Sequence, residues 1–420
     1  MSTTATLAVA EAVGPRWRAE PYRILFPLGG LLAWAGVLHW LLLATGATDE
    51  YRSTFHAITQ IQGLMTCFAT GFLFTFIPRR TGGEPARAWQ IAVAVVAPVA
   101  TTAFAWFELW VPSQACWVAL ILVVMGFAFS RARRSKSRGA FPPGFLWVPG
   151  TLAGSLAAAV VAGIGGASGG DRMWLHDVGR SFIQQGLFTG LVLGIGSLLL
   201  PVLAYGKPPA PPRRGVAVAA HAAAILAFMA SFPVEWQLDL RAGFAMRAAI
   251  TTGVLCAAGL WRRPTMPGLH RTLAWLSAWC LPMSALVVTA FPGYRRAGLH
   301  VAFIGCFALA ALSVSVHVAL THAGRAKLLE QRPWQVAGFA LLLAAALGFR
   351  FALDLDPVHF NRWLGCAAAC FLSATVVWAL LVVPRLTEGP PPPRDYGARS
   401  ASSSGPMPVT EMSRRWSLTV

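Results

Sequence analysis

The chain has 420 residues, 56% of them hydrophobic and only 12% charged, with a formal net charge of +18. A soluble domain carries about 25% charged residues, so a soluble fold is excluded and an integral membrane protein is expected. The basic residues sit in short connections beside apolar runs, which is the pattern of membrane topology and not of a nucleic-acid partner. The partner so implied is the lipid bilayer.

Taken in order, the apolar runs predict an all-α polytopic bundle of about twelve spans within a transmembrane domain over 22–384. Their limits are 22–45, 54–77, 87–108, 112–131, 145–168, 177–204, 215–235, 243–261, 269–291, 297–321, 333–353 and 358–384. Only Trp110, Val111 and Pro112 mark the join between the third and fourth, which implies a tight helical hairpin. Connections after even-numbered spans are strongly basic, for example Arg131, Arg133, Arg134, Lys136 and Arg138, whereas those after odd-numbered spans balance. By the positive-inside rule both termini lie in the cytoplasm. Residues 1–21 form an N-terminal segment with no cleavable leader pattern, and the Pro- and Ser-rich stretch 385–420 reads as a disordered tail. No internal repeat is evident.

The run from Phe55 to Gly82, FHAITQIQGLMTCFATGFLFTFIPRRTG, is the most informative. His56, Gln60, Gly63 and Cys67 share one face of a regular helix, and unpartnered polar groups are costly in hydrocarbon. That face is expected to look inward, at other helices or at a bound group. His176, Arg180 and Gln184 make a second stripe at the head of the sixth span. His300 opens the tenth. Neutral imidazole binds iron and copper well, so these outer-side histidines are ligand candidates, against the plainer reading that each caps a helix or snorkels. Arg180 suits either Asp177 or a haem propionate. Gly186, Gly190 and Gly194 recur at spacing four. They fit close helix approach, or else a flat surface for a planar macrocycle.

The seven cysteines all lie in apolar runs without a C-x-x-C pair, which fits buried packing and not a disulfide framework. Many of the 17 tryptophans lie near span ends as an interfacial belt. No P-loop, Rossmann glycine pattern, HExxH or nucleophile elbow is present, so hydrolysis and nucleotide binding are not expected.

Three stretches together resemble the NnrS family of bacterial membrane proteins: residues 55–82, RSFIQQGLFTGLVLGIGSLLLP (180–201) and LHVAFIGCFALAALSVSVHVALTHAGR (299–325). The resemblance implies a twelve-span inner-membrane protein that contains haem and copper and is linked to nitric oxide metabolism and nitrosative stress. In the family the first motif reads H-x-H-E-M; here His56 is kept, with Ile58 and Thr59 where the second His and the Glu would fall. His300, His322 and Arg325 match the third motif position by position, which adds His322 to the candidate metal ligands. His56, His176 and His300, assisted by Gln60, Gln184 and Arg180, are then expected to hold the cofactor, with nitric oxide as a small gaseous partner. Whether the chain turns a substrate over, senses it or buffers it is open. A cofactor-free transporter or channel, and an assembly partner of a respiratory complex, are the alternatives from other classes.

Overall fold

In a computed structural model, residues 16–135, 141–207 and 214–389 are described. The expected N-terminal segment and tail, with Lys136 and Arg138, fall wholly or largely outside those residues. The described residues are helical and contain no strand. Eleven helices are long and apolar enough to cross a membrane: α1 (Tyr22–Ala44), α2 (Ser53–Thr81), α3 (Ala88–Trp106), α4 (Trp110–Arg133), α5 (Pro143–Ser168), α6 (Gly170–Tyr205), α7 (Arg214–Gln237), α9 (Leu269–Ala290), α10 (Pro292–His322), α11 (Trp334–Leu355) and α12 (Pro357–Arg385). The remaining predicted span is α8 (Leu240–Ala257), which packs between α7 and α9. Arg241 and Arg247 lower its apolarity, yet its 18 residues reach roughly 27 Å at 1.5 Å each. The tight α3–α4 join is present, with Glu108 at φ 58 turning the chain.

Three helices form the centre. The apolar windows of α2, α6 and α10 are 83%, 78% and 78% buried, against 28–50% for the other spans. All three are built alike: an ordinary helical lead, a π segment, a longer α segment and a left-handed glycine just past the end. The π segments are Thr59–Met65, Phe182–Gly186 and Val301–Ala308. The glycines are Gly82, Gly206 and Gly324, with φ of 64°, 74° and 72°. One helix design thus recurs at every fourth position.

The glycine stripe of α6 resolves in favour of packing. A Cβ on Gly190 would stand 2.0 Å from the Thr151 side chain, and one on Gly194 would stand 2.8 Å from Val148. Both glycines admit α5, leaving no flat surface for a macrocycle. Gly190→Ala is expected to lower stability by about 1–3 kcal/mol through overpacking, read as an earlier thermal unfolding midpoint in detergent.

At the end of the bundle that carries both termini of the described chain, Glu20 ties α1, α2 and α10 together. It meets Arg23, Arg79 (2.6 Å) and His322 (3.6 Å). Burial alone would raise its carboxyl, but His322, Arg23 and Arg79 outweigh that and hold it below the ordinary value of 4.5. A lowered folded-state value stabilises the fold fully above the unfolded value, and the effect is lost as pH falls through the lowered one. Glu20→Gln is therefore expected to cost about 2 kcal/mol at neutral pH. The gap to the unsubstituted protein should close as unfolding is measured at increasingly acid pH.

Candidate functional site

A cavity of about 270 Å³ opens between α1, α2, α10, α11 and α12, with the head of α6 at its edge. Its wall brings together five of the seven candidates: His56, Gln60, Arg180, Gln184 and His300. The inner walls are apolar, with Leu64, Met65, Ile304, Ala308 and Phe371.

The two imidazoles are held in the same way. Nδ1 of His56 lies 2.7 Å from the Gly36 carbonyl oxygen, and Nδ1 of His300 lies 2.7 Å from that of Arg296. A carbonyl only accepts, so each Nδ1 carries the proton and each Nε2 keeps its lone pair. An imidazole fixed through its far nitrogen is the arrangement metal-ligating histidines adopt. Gly36 serves twice. Its carbonyl orients His56, and its missing side chain admits Gln60, whose Nε2 would stand 2.3 Å from a Cβ there. Gln60 is itself anchored by donating to the Ala33 carbonyl at 3.1 Å. The His56 ring packs edge-on to Trp40, with centroids 5.5 Å apart.

Charge around the cavity is of one sign. Arg180, Arg295, Arg296 and Arg350 all line it, and no Asp or Glu does among the described residues. Arg295 pairs with Glu235, while Arg296 is 3.9 Å from Asp354. Nε of Arg350 is buried with no hydrogen-bond partner. Behind Arg295 lies a buried network. Glu235 accepts from Arg295 with one oxygen and from Arg247 with the other. Arg247 also donates to the Ser231 hydroxyl (2.9 Å) and to Oε1 of Gln185 (3.0 Å), which belongs to the π segment of α6. Its guanidinium lies 3.8 Å from the ring centroid of Phe232. One carboxylate therefore braces α7, α8 and α10 directly and α6 through Arg247.

Two candidates lie elsewhere, and the expected convergence of three imidazoles is corrected. Nδ1 of His176 is 3.0 Å from the Ala162 carbonyl, against α5, where Gly165 and Gly179 let the two helices close up. His322 sits at the opposite end of the bundle with Glu20 and Arg79, its ring 5.2 Å from that of Tyr22. About 22 residues at 1.5 Å each put it roughly 33 Å along α10 from His300. The polar face predicted for α2 also breaks. The π segment Thr59–Met65 adds a residue per turn. This turns Gly63 toward Leu32 and Thr102 and leaves Cys67 in the core, while Ile61, Leu64 and Met65 reach the cavity.

Among the described residues no three His, Cys, Asp or Glu side chains could hold a metal ion together. The cavity instead offers two separated nitrogen donors, apolar walls and cations at the rim. That donor set suits a metal carried in a planar, apolar, acidic macrocycle; it does not fit a copper ion caged by three protein ligands.

Fold and cavity together define a polytopic helical membrane protein with a histidine-lined internal cavity. The NnrS protein family matches the chain over residues 16–389, and the protein belongs to that family. No curated protein matches it.

Proposed function

We propose that this NnrS-family protein binds haem in the cavity and acts in nitric oxide or nitrosative-stress metabolism. The observation that carries the reading is the pair His56 and His300. Each is locked by a backbone carbonyl through Nδ1, and both line one apolar cavity. Bound there, haem would supply a redox-active iron centre. His56 and His300 would hold it through the lone pairs of Nε2, so a small gas would reach the iron only in exchange for one of the two. Arg180 and Arg350 offset the carboxylates of the macrocycle, and Arg295 and Arg296 add partly neutralised donors. Leu64, Met65, Ile304 and Phe371 exclude water from the inner walls. Nitric oxide is small and uncharged and dissolves in lipid, so it needs no polar channel.

The basic connections, including Arg79, Arg80, Arg131, Arg262, Arg263 and Arg325, gather at the end opposite His56 and His300. By the positive-inside rule this supports a cavity toward the outside and both termini in the cytoplasm, which is the orientation the reading takes for a bacterial inner-membrane protein. The test is an absorption spectrum with iron analysis on the detergent-purified full chain. A Soret band with stoichiometric iron is expected; a colourless, iron-free preparation overturns the reading and hands the cavity to a cofactor-free transporter.

A further inference from the structure

The cavity leaves a second pair of histidines unused. His270, in the first turn of α9, and His317, on α10, are 2% and 7% exposed. Their rings are nearly parallel, 17° apart with centroids at 5.4 Å, and Nε2 of His270 lies 3.2 Å from Nδ1 of His317. Two titratable rings joined by one hydrogen bond inside a membrane bundle are expensive to keep and mark proton routes more often than packing.

A polar seam leads away from them between α9 and α10. Ser277, Ser284 and Ser313 are all buried there, and the Ser313 hydroxyl, one turn from His317, has no partner. Cys280 belongs to the same seam, its Sγ 3.1 Å from where a Cβ on Gly305 would stand. Ser284 donates at 2.7 Å to the carbonyl of Gly298, two residues before His300. These side chains lie between the histidine pair and the segment Arg295–His300, whose Arg296 carbonyl holds the cavity imidazole; Ser277 and Ser284 are bonded to backbone carbonyls and not to one another. On the near side, a Cβ on Gly268 would stand 3.0 Å from Nδ1 of His270 and 3.1 Å from the Leu329 carbonyl, at the turn after α10.

We infer that His270 and His317 form a proton relay from this end of the bundle into the α9–α10 seam that leads to the cavity. A proton taken up at Nδ1 of His270 allows the Nε2 proton to pass to Nδ1 of His317. His317 then releases the proton on its Nε2 into the seam, where the unpartnered Ser313 hydroxyl one turn away has to rotate to accept it. No bond between heavy atoms breaks and no electron moves, and tautomer exchange in both rings resets the pair. The charged and titratable groups around the pair are Arg271, with Glu330 beyond it, and His322 with Glu20, Arg23 and Arg79. The purpose of the relay, supplying protons to a haem site, rests on the proposed function; its existence does not.

The test is deuterium exchange of the imidazole N–H groups, followed by NMR on the ¹⁵N-histidine-labelled full chain in detergent. His317 is expected to exchange within seconds in the unsubstituted protein and at least ten-fold more slowly in His270→Gln. His270 should still exchange quickly in His317→Gln, since it lies upstream. Equal rates at His317 with and without His270, or protection of both rings for hours in the folded protein, overturns the relay. Haem content measured on the same samples separates the two ideas: its absence sinks the cofactor reading and leaves the exchange result standing.

Discussion

Replacing His56 or His300 with alanine is expected to abolish the Soret band, with iron content falling at least ten-fold. Each variant removes a nitrogen donor from the cavity wall; the imidazole of His39, 6.1 Å from that of His56 between ring centroids, is not part of that wall, and no three His, Cys, Asp or Glu side chains form a metal-binding group among the described residues. Loss of an orienting partner alone typically costs 10–100-fold in metal affinity, so loss of the ligand should cost no less. His176→Ala and His322→Ala supply the contrast. Both lie away from the cavity, one against α5 and one beside Glu20, so their spectra should be unchanged. Four variants of one residue type thus separate the two proposed ligands from the two histidines outside the cavity. A band that survives in both His56→Ala and His300→Ala, or that vanishes in His176→Ala, rules out the assignment.

Glu235→Ala is expected to be the most damaging single change outside the cavity wall. Arg247 is buried, with its guanidinium enclosed by Phe232 and Phe244. Deleting the carboxylate strands that charge, and breaking a buried pair from one side costs roughly 3–5 kcal/mol. The double variant Glu235→Leu with Arg247→Met removes both charges and should recover most of the loss, because the desolvation penalty disappears with them. Thermal unfolding in detergent reads both effects. A Glu235→Ala protein as stable as the starting chain, or a double variant worse than the single one, contradicts the account. The same variant also frees Arg295, so any bound haem should be held more weakly even where the fold survives.

Much of the architecture was legible in sequence because hydropathy and loop charge report the bilayer directly. Every predicted span has its helix, and α8 shows why Arg247 is tolerated: Glu235 neutralises it within the bundle. The site was half legible. His56, Gln60, Arg180, Gln184 and His300 were identified as polar residues on apolar helices, and they meet. Arg350 and Arg247 are not legible in that way, because a charge near a span limit also serves as a topology signal; a guanidinium inside an apolar run is the clue. His176 misled because helical spacing places residues on a face without saying which neighbouring carbonyl captures them. The π segments escaped entirely, since an inserted residue leaves the local composition unchanged.

The helix design shared by α2, α6 and α10 puts a wide turn in each of the three most buried helices. What each carries at that turn differs: His56 and His300 stand just before it in α2 and α10, whereas Arg180 precedes it and Gln184 lies within it in α6. One backbone frame thus accepts a different chemistry at each of its three positions.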